Sequence, residues 1–186
     1  MRKENNTHNR REFLKKGMTG ITGAVLLPSL CKGNPTIKEA KKKTIYRTLG
    51  RTGIKVPVIS LGGSGSDITR AALDAGVVHL ETANRYGAGR HEAMVGETLK
   101  GRPRKRFIIA TKIIPYLDNR SGLPSDKISS SEFKKDFRKK MDQSLKRLQL
   151  DYVDILYLHG VETPVTLRSQ LIKDIMLEFK EEGKTR

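Results

Sequence analysis

Tryptophan is absent from the 186 residues, and aromatic rings come only from five Phe and five Tyr. There is a single cysteine, Cys31. One thiol excludes an intrachain disulfide framework and a cysteine zinc cluster, and no metal site is expected. No apolar run reaches the ~18 residues of a membrane span, so a multi-pass protein is excluded. Proline is scarce, at seven residues, against 36% hydrophobic and 31% charged residues. That balance belongs to a folding chain rather than a disordered one, and the length suits about one domain.

Acidic residues are the minority charge: 20 Asp and Glu face 37 Lys and Arg, a net +17. The surplus is uneven. Residues 1–50 hold 12 basic and 3 acidic residues, so over half of it sits in the first quarter of the chain. A basic surplus raises nucleic-acid binding as a hypothesis. The body lacks the alternation of aromatic and basic residues that makes a base-stacking platform, so nucleic acid is not an expected partner. The densest basic cluster, Arg102, Arg104, Lys105 and Arg106, reads as a solvated turn between a helix and a strand.

The basic N-terminus has its own logic. Arg10 and Arg11 stand in NRREFLKKG, and a moderately apolar stretch follows from Met18 to Leu30. A positive region, paired arginines and an apolar segment, in that order, form the layout of a twin-arginine export signal. Phe13, Leu14 and Lys15 sit where such signals place an apolar pair and a basic residue. No A-x-A cleavage site is present, and Leu30 before Cys31 is bulky where lipid attachment favours a small residue. Residues 1–33 are read as the signal, 34–43 as a polar linker and 44–186 as the body. The expected location is exported and periplasmic, with an uncleaved signal as a membrane tether, and the translocase is the partner during export.

The body alternates strand and helix. Thr44–Leu49 and Lys55–Val58 flank Gly50-Arg51-Thr52-Gly53, a hairpin pattern. Val58–Leu61 follows as a short strand, then a helix over Asp67–Ala75 with Ile68, Ala72 and Ala75 on one side. Val77–Ala83 and the apolar FIIATK at Phe107–Lys112 read as strands, with a helix over His91–Lys100 between them. Phe133, Phe137, Met141, Leu145 and Leu148 recur at helical spacing, and Ser129 with Glu132 predicts a capping box. Tyr152–His159 is a further strand. Leu167, Leu171, Ile175 and Phe179 predict one last helix stopped by Gly183. Pro115–Ser131 is a long loop of the kind that carries function. Four strand–helix units predict a parallel sheet, as an open doubly wound fold or part of a (β/α)8 barrel. No G-x-G-x-x-G follows a strand, so a Rossmann nucleotide site has no support.

Glu81, Lys112 and His159 each fall at the C-terminal end of a predicted strand, and Tyr86 follows in the loop after Glu81. Both fold types place their chemistry at strand C-termini. Taken singly, each residue has a structural reading; four on three consecutive strands form a candidate site. A Tyr is a weak proton donor at neutral pH. A nearby ammonium makes its proton easier to release, a carboxylate holds the ammonium, and a His can orient a carbonyl.

YRTLGRTGIKVPVISLG at 46–62, ALDAGVVHLETANRYGAGRHEAMVGETLKG at 72–101, FIIATK at 107–112 and SLKRLQLDYVDILYLH at 144–159 together resemble the aldo/keto reductases. The resemblance implies a (β/α)8 barrel that reduces aldehydes or ketones with NADPH or NADH. It makes Tyr86 the proton donor, Lys112 the group that activates it and His159 the residue that orients a small carbonyl substrate. The family's Asp falls on Glu81, one methylene longer. The string EFKEEGKTR resembles the exit of the family's fourth helix, so the chain reads as a signal followed by the N-terminal half of such a barrel. Since the family holds its cofactor mostly from later strands, the expectation is that the isolated chain binds NADP(H) weakly and is inactive on its own. It is also expected to self-associate or need a partner carrying the other half. The alternative reading is a non-catalytic exported fragment or the pairing partner of a split reductase.

Overall fold

The computed structural model describes residues 44–115 and 128–186. The signal and linker read for 1–43, and most of the long loop, lie outside the described residues. β1 (Tyr46–Thr48) and β2 (Lys55–Pro57) form the expected antiparallel hairpin, with Arg47 opposite Val56. Its turn requires left-handed backbone at Gly50 and Gly53, with φ of 51° and 72°, where glycine pays no steric penalty. The Thr52 hydroxyl closes it by donating to the Leu49 carbonyl at 2.6 Å.

A parallel sheet follows, formed by β3 (Leu61–Gly62), β4 (His79–Glu81), β5 (Ile108–Ile113) and β6 (Ile155–Leu158), adjacent in chain order. The intervening helices are α1 (Ser66–Asp74), α2 (Arg90–Leu99) and α3 (Ser130–Leu148), with α4 (Pro164–Arg168) and α5 (Gln170–Glu181) after β6. Leu61 pairs with Leu80 and Leu80 with Ile109, so these residues share one face. That face packs with Val95, Leu99, Phe133, Phe137, Met141 and Leu148 into the core. Gly62, Glu81 and Ala110 pair across the sheet, as do Lys112 and Tyr157, and these alternate residues make the opposite face.

α3 shows why its pattern was legible. Ser129 accepts from the Glu132 N–H at 3.2 Å, and Glu132 accepts from the Ser129 N–H at 2.9 Å. The bond from the Ser129 backbone, then that from its hydroxyl, holds the Glu132 carboxyl below its usual range. All five apolar residues of its stripe are buried. Phe137 meets Phe133 and, across the helix interface, Phe179 of α5, both edge-on.

Several expectations need correction. The strand read as Val58–Leu61 is confined to Leu61–Gly62, because the Val58 N–H is used by the hairpin, donating to the Ile45 carbonyl at 3.0 Å. α1 buries Thr69 and Leu73, while Ile68 is 60% exposed; the buried stripe lies one residue further along than the apolar residues suggested. The last helix is two. Ser169 interrupts it and caps α5 by accepting from Ile172 N–H, so Leu167 lies on the separate α4 and is 56% exposed. Arg104 is not a solvated turn residue. Its guanidinium donates to the buried Asp154 at 2.7 Å and stacks 4.0 Å from the Tyr152 ring centroid. A second Asp154 bond, from the Ile109 N–H at 2.9 Å, ties this cluster to β5.

Candidate active site

Three of the four proposed residues stand together at the C-terminal end of the sheet. Glu81 closes β4, Lys112 is the penultimate residue of β5, and His159 follows β6. Segments leaving the strands stay bonded to β5: Asn84 N–H donates to the Lys112 carbonyl at 3.0 Å, and His159 N–H to the Ile113 carbonyl at 2.9 Å. The fourth residue, Tyr86, opens a kinked turn, Tyr86–Gly89, whose middle residues leave the helical region. Gly87, Ala88 and Gly89 all have positive φ there, of 57°, 55° and 89°. Ala88 bears a Cβ in that conformation, at a cost of about 1–2 kcal/mol. Such strain persists where the surroundings hold the turn in place.

Lys112 organises the group. Its Nζ donates to the Tyr86 hydroxyl at 2.8 Å and to the Thr82 carbonyl at 3.3 Å, and it pairs with Glu81 Oε1. The hydroxyl and the carbonyl accept from the ammonium, and the carboxylate supplies its counter-charge. Burial pulls the Lys112 amine below its ordinary value. His159 lies edge-on to Tyr86, ring centroids 5.8 Å apart. Burial first, then the positive charges of Lys112 and Arg85, push its imidazole below the usual His value, so it is neutral at pH 7. Its buried Nδ1 has no hydrogen-bond partner among the described residues.

The structure adds residues that sequence reasoning missed. His91, read only as the first residue of a helix, flanks Tyr86 at 5.9 Å on another side. Its two nitrogens meet the Thr82 hydroxyl at 2.7 Å and the Ser64 carbonyl at 3.0 Å. The carbonyl accepts only, so Nε2 carries a proton and donates it to Ser64. Beneath the turn, Glu92 is fully buried. It accepts from the Thr111 hydroxyl at 2.6 Å and pairs with Arg147 at 2.6 Å. Arg147 passes so close under Gly89 that a Cβ there would lie 2.6 Å from its Nε. The ion pair thus joins α2, α3 and β5 directly behind Lys112 and the Tyr86 turn. A Glu inside an otherwise core-facing helix was the available signal, but its partner lies on another helix.

A parallel sheet with a Tyr–Lys–carboxylate–His group at its C-terminal end agrees with the match to the Aldo/keto reductase family model over residues 64–186. The chain belongs to that family. L-galactose dehydrogenase of Arabidopsis thaliana is 34% identical over 162 residues, covering 77% of this chain and 47% of the plant protein. 6-dehydroglucose reductase of Novosphingobium aromaticivorans is 36% identical over 135 residues, covering 61% and 41%. Among solved structures, the holo form of a Bacillus halodurans aldo-keto reductase superposes with a TM-score of 0.56 at 28% identity, covering 77% of this chain and 49% of that one. A Klebsiella pneumoniae aldo-keto reductase in complex with NADPH gives 0.51 at 26%, covering 72% and 45%. The chain therefore spans about half the length of the relatives it matches. The described body is part of a (β/α)8 barrel.

Proposed function

We propose that this chain carries the proton-transfer half of an NAD(P)H-dependent aldehyde or ketone reduction, with Tyr86 as the acid. The contact between Lys112 Nζ and the Tyr86 hydroxyl carries this reading. Because Lys112 donates to that oxygen, the phenolic proton remains free to point outward to a substrate oxygen. As the proton leaves, the ammonium stabilises the phenolate, and Glu81 keeps the ammonium charged and aimed. The neutral His159 can donate a hydrogen bond to the same carbonyl oxygen. Its buried Nδ1, unpartnered among the described residues, and the free phenolic proton fit a polar ligand at this point. When bound, NADPH supplies the hydride for the carbonyl carbon. The open cavity of about 650 Å³ beside Tyr86, lined by Gly63, Ser64, Gly65 and Arg90 among others, would hold part of it. Carbonyl-dependent NADPH oxidation is the test, with strands five to eight of the barrel supplied in a fusion. Tyr86→Phe should reduce it by about 10²–10⁴-fold, the usual worth of general acid catalysis. A Phe variant that keeps its rate removes Tyr86 as the donor.

A second reading is supported by the sheet edges. Among the described strands, β3 and β6 each have one neighbour, and apolar side chains stand open beside them, Ile59 at 66% and Leu167 at 56% exposed. Unpaired strand edges template association. Turnover in this reading requires a second copy or a partner supplying complementary strands. Sedimentation of the purified chain tests it, with a monodisperse monomer active on its own as the contrary result. Export through the twin-arginine route remains part of the proposal. Replacing Arg10 and Arg11 with Lys should hold the protein in the cytoplasm on cell fractionation; unchanged distribution would remove the signal.

A further inference from the structure

Gly62 sits in β3, where glycine is unfavourable because it has no side chain to pack and much backbone freedom to lose. Its neighbour Gly63 and eight other glycines adopt positive φ, a conformation that favours glycine; Gly62 does not. The backbone there would accept any residue, so what glycine supplies at 62 is space. That space has an occupant. Gly62 is paired with Glu81 in register, which puts a side chain at 62 on the same sheet face as the Glu81 carboxylate. A Cβ built on Gly62 would lie 2.7 Å from Glu81 Oε2, inside van der Waals contact, and every other atom it would approach also belongs to Glu81. The other carboxylate oxygen, Oε1, is the one paired with Lys112.

We infer that Gly62 is a positioning residue: it makes room on β3 for the longer Glu81 side chain, and so sets where the carboxylate meets Lys112. This rests on the reading of Lys112 as the group that activates Tyr86, and it concerns that site before any substrate or cofactor is present. A methyl group at 62 meets the flexible end of a side chain rather than backbone, so the sheet can form and the carboxylate is what moves. Aspartate at 81, shorter by a methylene, would clear that methyl group. The two positions are therefore coupled by size: alanine at 62 leaves an Asp carboxylate in place and displaces that of Glu81 from Lys112.

The experiment reads Lys112 ionisation in the full chain, through the pH dependence of its reductive methylation followed by peptide mass spectrometry. Gly62→Ala should lower the Lys112 midpoint by about one unit, because an opposite charge nearby favours the ammonium and its displacement removes that support. Adding Glu81→Asp should restore the midpoint. Glu81→Gln should lower it alone, and Gly62→Ala on that background should add nothing. An equal shift from Gly62→Ala with Gln at 81, or no rescue by Asp, overturns the inference. If the alanine chain does not fold, the unsubstituted protein decides: its Gly62 α-protons must show NOE contacts to the Glu81 γ-protons, and their absence overturns it. None of these readouts uses turnover. A fusion that fails to reduce carbonyls while the chain passes them refutes the catalytic proposal and leaves the Gly62–Glu81 coupling standing.

Discussion

The two faces of the parallel sheet are built on opposite rules. Towards the helices, Leu80, Ile109 and Ile113 lock against Val95, Phe133, Phe137 and Met141, and the buried Glu92 carboxylate is paired with Thr111 and Arg147. On the other face stand Gly62, Glu81, Lys112 and the half-exposed Tyr157, with Tyr86 and His159 above them. The first face has the close-packed density that resists volume changes. The second holds charge, unmatched polar atoms and open space. One face stabilises the unit while the other is free to be chemical, since most of the hydrophobic burial is already made without it.

Truncation tests this contrast most severely. Phe137→Ala should cost about 3–5 kcal/mol, the usual range for removing a buried ring, whereas Tyr157→Ser on the open face should cost under about 1 kcal/mol. Denaturant unfolding of both variants gives the answer, and equal losses would show that the open face is also packed. The Glu92–Arg147 pair comes next. Arg147→Ala leaves a carboxylate buried without its cation, worth about 3 kcal/mol or more. Because Arg147 also supports Gly89, that variant should loosen the Tyr86 turn, visible as faster amide exchange at Tyr86–Gly89.

Protons supply the mildest test. His79 is held below the usual His value, chiefly by burial and in spite of the opposing charge of Asp154, and His159 is lowered by burial and nearby cations. A His whose folded value is depressed binds its proton more readily in the unfolded chain. Stability from these two groups is thus present above the ordinary value near 6.5 and declines as pH falls from there through the lowered folded values. Unfolding midpoints should drop as pH falls below about 6.5. His79→Gln with His159→Gln should flatten that slope; a slope that persists would place its origin in other groups.

How much could be read beforehand follows the range of each interaction. The hairpin, the alternation of strands and helices and the α3 stripe with its capping box were all legible, because each depends on residues within a few positions of one another. Glu81, Lys112 and His159 were legible as strand-end residues and Tyr86 as a residue of the loop after Glu81, and the fold brings Tyr86, Lys112 and Glu81 into contact with His159 beside them. The misread elements share a cause. Val58 and Ile68 are apolar by composition yet exposed, and Arg104 is a cation in a basic run yet is held by Asp154, fifty positions away.

By itself, the sequence determined periodicity, turn chemistry and the order in which chemically capable residues meet the ends of strands. Those properties are local, set by backbone geometry and side-chain spacing. Which apolar residues face the core, that Arg147 should neutralise Glu92 under the Tyr86 turn, and that a glycine on β3 should make room for a carboxylate on β4 were decided only by tertiary structure. Each of these depends on a distance of a few ångströms between segments far apart in the chain. Sheet register and helix packing set that distance, and no local pattern encodes it.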